Sequence, residues 1–179
     1  MKHAVILAAL ALLVSACSQP RAAEQTAAAA PLAPPPSPHV AAPDAVAAGR
    51  YLVRIGGCND CHTQGYAENG GTTPESEWLL GSRIGYYGPW GTSYPANLRL
   101  SVKDVPEDAW IASIRARNGL PPMPWPALHA MDDADLGAIY QFIKSLPPRG
   151  EAMPLPAAPG QTPRGKYYVM APISGKPPK

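Results

Sequence analysis

Cys58-Asn59-Asp60-Cys61-His62 sets two thiols about one helical turn apart, with an imidazole directly after the second. A fold built on this segment has to present all three groups to one object. In a Cys-x-x-Cys-His pattern that object is a c-type haem. The two sulfurs reach the vinyl groups on one edge of a porphyrin and form thioethers, while His62 projects under the ring as the proximal iron ligand. One covalent haem c, bound by Cys58, Cys61 and His62, is therefore expected.

Three other uses of the same residues are weaker. A zinc site needs a second ligand pair at suitable spacing. The remaining histidines are His3, His39 and His129, and the third cysteine, Cys17, falls in the N-terminal leader. A redox dithiol of thioredoxin type sits in a strand-to-helix context, and none is readable. A structural disulfide between Cys58 and Cys61 gives His62 no role.

The first residues read as an export signal. Lys2 opens an apolar run, Ala4 to Val14, that is too short to span a bilayer, and small residues follow at Ser15 and Ala16. Residues 1–16 are thus expected to be a signal peptide. Val14-Ser15-Ala16-Cys17 resembles the lipobox of bacterial lipoproteins, which implies that Cys17 is lipidated and becomes the mature N-terminus. Ser18, next to it, implies the outer membrane. The expected location is the periplasmic face of a bacterial membrane, held by lipid.

Residues 17–43 are dominated by Ala and Pro, including Pro34-Pro35-Pro36, and hold too few large apolar groups to offset the entropy of ordering. They read as a tether. Residues 44–148 form the expected compact domain, of net charge −3, and residues 149–179 a Pro-rich basic tail of net charge +4. The tail carries one apolar patch, Tyr167-Tyr168-Val169-Met170, and reads either as a strap that lies over the acidic domain and docks by that patch, or as a solvated end. Basic residues are scattered, and no nucleic-acid patch is present.

Three helices are predicted. The first runs from an Asp44 cap through Ile55 and is stopped by Gly56-Gly57. The second runs from Pro106, as first helical residue, to about Arg117. The third begins near Asp132, carries Leu136, Ile139, Tyr140, Ile143 and Leu146 at spacings of three and four, and stops at Pro147-Pro148. No alternating run argues for a sheet, and residues 65–100 read as ordered loop. The fold class expected is all-α, three main helices with long ordered loops around the haem. Gly49 and Tyr51 are expected where the first helix crosses the last, near Tyr140.

This order of elements looks like a class I c-type cytochrome. Within that class the chain is similar to the monohaem domains of cytochrome subunits of bacterial membrane-linked alcohol and sugar dehydrogenases. The likeness rests on Gly49-Arg50-Tyr51-Leu52, on Gly57-Cys58-Asn59-Asp60-Cys61-His62-Thr63, and on the stretch from Gly88-Pro89-Trp90-Gly91 to Asn97-Leu98. It continues in Pro122-Met123-Pro124-Trp125 and in Met131-Asp132-Asp133-Ala134-Asp135-Leu136. It covers about the whole of residues 44–148. The chain departs in having one haem motif where many such subunits have two or three, and in reading Asn97-Leu98-Arg99 where they often carry Thr and Pro after Asn.

Met123, between Pro122 and Pro124, is the expected sixth ligand, because stiff backbone can hold a weak thioether against iron. The resemblance implies the same residue. Met131, at a helix start, and His129, which would give bis-histidine ligation, are the rivals. The second ring nitrogen of His62 needs a carbonyl acceptor, which the resemblance implies is that of Pro89. Arg83, Arg99, Trp90, Trp125 and Tyr94 are candidate donors to the haem propionates.

A six-coordinate His/Met haem implies an electron carrier without bond chemistry of its own. Its partners would be a dehydrogenase or respiratory donor, and an oxidase or other cytochrome as acceptor. The alternatives are a haem gas sensor or catalytic haem protein with a displaceable distal ligand, and a structural subunit that anchors a dehydrogenase.

Overall fold

A computed structural model describes residues 39–170. The signal peptide, Cys17 and all of the tether before His39 lie outside the described residues, as do residues 171–179 of the tail. Six α-helices occur among the described residues: α1 Ala45–Ile55, α2 Cys58–His62, α3 Leu98–Ser101, α4 Glu107–Ala116, α5 Trp125–Ala130 and α6 Asp133–Ser145. Three short strands accompany them: β1 Gly85–Gly88, β2 Gly91–Ser93 and β3 Tyr167–Val169.

The three predicted helices correspond to α1, α4 and α6. The Asp44 carboxylate caps α1 by accepting from Ala47 N at 2.8 Å, and Gly57 leaves the helix in the left-handed region at φ 68°. Pro106 stands one position earlier than expected, as the cap of α4 in extended backbone. Asp133 and Asp135 lie in the first turn of α6, where the helix dipole favours them, and Lys144 lies in its last. Lys144 Nζ donates to the carbonyls of Val102 (3.0 Å) and Lys103 (2.7 Å), which ties α6 to the end of α3.

The core forms where α1 packs on α6. Ala48, Leu52 and Val53 meet Leu136, Ile139, Phe142 and Ile143, all buried. Gly49 permits the close approach: a Cβ there would come within 1.9 Å of Ala138 O and 2.8 Å of Phe142 Cβ. Tyr51, in contrast, is half exposed and lies outside the crossing. Tyr140 faces Trp110 instead, with ring centroids 5.9 Å apart, and donates to Val105 O at 2.8 Å. Gly49→Ala should force the two helices apart. Overpacking of this kind costs about 1–3 kcal/mol, and a backbone carbonyl as the obstacle places the cost at or above the top of that range. The check is the urea midpoint, which should fall well below that of the unmutated chain.

The helices expected are accompanied by a small three-stranded sheet, so the fold is mixed and not purely all-α. β1 and β2 pair antiparallel around Pro89-Trp90, with Gly88 opposite Gly91, and β3 adds in parallel on the other side of β1. Strands of three and four residues are too short to show an alternating pattern, and β3 lies far along the chain from its partner. The pairing is therefore tertiary in origin.

Residues 149–170 form a strap that docks chiefly by backbone. Ala157 and Thr92 exchange two hydrogen bonds of 2.9 Å, Gly85 N donates to Lys166 O at 2.9 Å, and Met170 N to Tyr87 O at 2.9 Å. Charge contributes where Arg149 pairs with Glu77 and Arg83 with Glu151. The strap docks at its apolar patch, which forms β3 and sets the Tyr167 ring 5.9 Å from that of Tyr87 and the Tyr168 ring 5.6 Å from that of Tyr86, although Tyr168, Val169 and Met170 keep exposed surface.

Ordered contact begins before Asp44. His39 N donates to Asp135 Oδ1 (2.8 Å), its ring nitrogens lie 3.1 Å from Asp135 Oδ2 and 3.0 Å from Asp132 Oδ2, and Val40 packs against the core. The hydrogen bond to Asp135, and then the charges of Asp132 and Asp135, raise the His39 pKa above its ordinary value. A raised pKa means stability that is full below the unfolded value of about 6.5 and is lost as pH rises through the folded one. His39→Ala should therefore destabilise the domain more at about pH 5 than at about pH 9. A gap between wild type and variant that stays constant across that range would show that the imidazolium plays no part.

Candidate functional site

The Cys-x-x-Cys-His segment forms its own short helix, α2. Gly57 turns the chain into α2, and Gly81 N donates to His62 O at 2.7 Å. Thr63 Oγ1 donates to Asn59 Oδ1 at 2.7 Å and accepts from Leu79 N at 2.8 Å. Cys58, Cys61 and His62 then line one cavity of about 370 Å³, a size usual for small-molecule and cofactor sites. Met123, Trp125, Leu128 and Met131 line it from the α5 region, and Tyr86, Tyr94 and Pro156 from the sheet and strap.

Both cysteines are free thiols. Loss of water contact pushes the Cys58 thiol up to about 11, so it is protonated at neutral pH, unlike the activated thiolates of redox dithiols. Among the described residues no group of three or more His, Cys, Asp or Glu is placed to hold a metal ion.

His62 is 7 % exposed, and its Nδ1 lies 2.7 Å from the carbonyl of Ala96. A carbonyl can only accept, so Nδ1 carries the hydrogen and Nε2 is left with its lone pair. Burial pushes the imidazolium pKa down, which keeps the ring neutral. The ring is thus held in the tautomer that can ligate a metal through Nε2. The acceptor is Ala96 and not Pro89. Pro89 is exposed in the β1–β2 turn, too far along the hairpin to serve.

Met123 is half-buried in the cavity wall between two prolines, and its carbonyl accepts from Trp125 N at 2.9 Å. Ser93 Oγ donates to Pro121 O at 2.6 Å, which fastens this loop to β2. Met131 also lines the cavity but caps the C-terminal end of α5. His129 does not line it. His129 Nε2 lies 3.1 Å from Ile114 O and 3.0 Å from Arg117 O, so this nitrogen is committed as a donor to the end of α4.

The candidate propionate donors separate clearly. Trp125 lines the cavity, and its Nε1 is buried without a partner. A buried indole N–H without an acceptor is costly, so an occupant that brings an acceptor fits this wall. Tyr94 also lines the cavity, but its hydroxyl is engaged by Arg164, donating to its carbonyl at 3.1 Å and accepting from its N–H at 2.7 Å. Arg99 corrects the expectation. It is 1 % exposed, and its guanidinium donates to the carbonyls of Trp78 (2.8 Å), Ser76 (2.9 Å), Glu75 (3.1 Å) and Pro147 (3.2 Å), which makes it an internal brace. Trp90 lies against Gly88 in the hairpin, with Nε1 3.4 Å from Tyr86 O, and Arg83 pairs with Glu151 on the surface. None of these three lines the cavity.

Sequence reasoning missed Arg117, which lines the cavity with its guanidinium 5.8 Å from the Trp125 ring centre. Its signal was position: it follows the last residue of α4, where the chain turns toward the Met123 loop. No protein-family model, curated protein or solved structure matches the chain.

Proposed function

We propose that the chain is a class I c-type cytochrome, a monohaem electron carrier whose ligands are His62 and Met123. One observation carries the reading: Cys58, Cys61, a neutral Nδ1-protonated His62 and Met123, from two distant parts of the sequence, wall the same cavity. The packing of α1 on α6, with the motif helix directly after α1, supports the fold assignment.

Bound haem supplies a one-electron Fe(II)/Fe(III) couple. The chain's residues do the rest. Cys58 and Cys61, one helical turn apart on the cavity wall, would hold the haem covalently through thioethers to its vinyl groups. His62 offers Nε2, with its ring direction fixed by Ala96 O. Met123 would offer its thioether from a stiff loop, and a ligand fixed in this way would reduce the rearrangement that accompanies electron transfer. Trp125 Nε1–H and Arg117 provide donors for carboxylates at the cavity edge.

By this reading Cys17 anchors the carrier by lipid at the periplasmic face of the outer membrane. The tether lets it exchange electrons between a dehydrogenase or respiratory donor and an oxidase or other cytochrome. The test is the purified protein itself. It should retain the mass of one haem after denaturation, cycle reversibly by one electron, and take up little carbon monoxide when reduced. Haem that extracts freely into acidified organic solvent would remove the c-type assignment, and avid carbon monoxide uptake would favour the gas-binding alternative.

A further inference from the structure

We propose that Asn97 is a positioning residue for His62, and that the strap serves the cofactor site through it. The proposal rests on the reading of His62 as proximal ligand. Ala96 has only a methyl side chain and cannot orient its own carbonyl, so the direction of the His62 acceptor is set by its neighbours. Before it, Pro95 O accepts from Ser82 N at 3.1 Å. After it stands Asn97, 3 % exposed, whose carboxamide is engaged at both ends.

Asn97 Oδ1 accepts from Leu100 N at 3.3 Å, capping α3. Nδ2 donates to Arg149 O at 2.8 Å and to Glu151 O at 3.3 Å, both in the strap. The peptide that carries the His62 acceptor is thereby clamped between α3 and residues 149–151. Gly150 lies between the two strap carbonyls at φ 78°, and a Cβ there would stand 3.2 Å from Asn97 Nδ2. That left-handed turn presents both carbonyls to one amide, which a β-branched residue would disturb.

The consequence reaches the iron ligand. A displacement of about 1 Å at Ala96 O would take the 2.7 Å contact out of hydrogen-bonding range. The hydrogen bond at Nδ1 raises the basicity of the ligating nitrogen. A loosened clamp makes His62 a poorer donor and disfavours Fe(III). The tail beyond Pro148 is on this account part of the proximal ligand's support.

Two variants of the haem-loaded full chain separate this role from simple helix capping. Asn97→Asp keeps an acceptor for Leu100 N but sets an oxygen against the two strap carbonyls. Gly150→Val leaves Asn97 intact and disturbs the strap turn. In both, exchange of the His62 Nδ1–H with deuterated water should quicken at least tenfold, and the Fe(II):Fe(III) ratio at a fixed ambient potential should rise several-fold. Wild-type exchange and ratio in Asn97→Asp would overturn the proposal, whatever happens to its melting temperature. Effects in Asn97→Asp with none in Gly150→Val would overturn the strap's part. If the unmutated chain carries no covalent haem, the haem reading fails, while faster Nδ1–H exchange in the same variants still supports the clamp.

Discussion

Alanine at either Cys58 or Cys61 should strip most of the haem that survives denaturation, and alanine at both should remove all of it. On the proposed haem reading each thiol supplies one carbon–sulfur bond, so a single variant keeps at most one attachment and the double variant none. The apolar cavity that remains is about 370 Å³. An unfilled cavity of this size leaves the surrounding core residues without packing partners on one side, and a typical domain has only about 5–15 kcal/mol of stability to lose. The double variant should therefore lose both its absorbance after acid–organic extraction and a cooperative unfolding transition. A double variant that keeps haem through denaturation would place the attachment elsewhere in the chain.

The helices that build the core were legible because each is long enough to repeat its apolar spacing and carries its own start and stop. Asp44 and Gly56 bracket α1, and acids lead and Pro147 follows α6. The shorter elements carried no such text. α5 is six residues long with a proline in its first turn, and α3 is four residues capped by Asn97. Neither completes enough turns to show a stripe. β3 pairs with a strand about eighty residues earlier, and nothing local announces a partner at that distance.

The site divides along the same line. Cys58, Cys61, His62, Met123 and Trp125 reach the cavity because motif chemistry and flanking prolines mark them. Pro89, Trp90 and Arg99 do not reach it. Arg99 shows why residue type misleads: a guanidinium suited to a carboxylate suits four backbone carbonyls equally well, and loop packing decides between them. The His62 acceptor was the least legible of all, because a backbone carbonyl has no residue identity to read.

Met123→Ala should open the sixth position, whereas Met131→Ala should leave the iron spectrum nearly unchanged. Both methionines line the cavity, so position alone does not choose between them. Rigidity does. Met123 lies between Pro122 and Pro124, in a loop fastened to β2 by the Ser93–Pro121 hydrogen bond and continued into α5 by Trp125 N to Met123 O. Met131 ends α5 and is held through its carbonyl by Arg115, which suits a residue that closes the wall. Thioether ligation favours Fe(II), so its loss should lower the potential by about 100 mV or more. At about 59 mV per tenfold for one electron, that is roughly a fifty-fold change in the Fe(II):Fe(III) ratio. The reduced Met123 variant should also bind carbon monoxide more readily than the unmutated chain. If the thioether-to-iron charge-transfer band survives in Met123→Ala and vanishes in Met131→Ala, the ligand is Met131, and the proline-bound loop serves only to close the cavity.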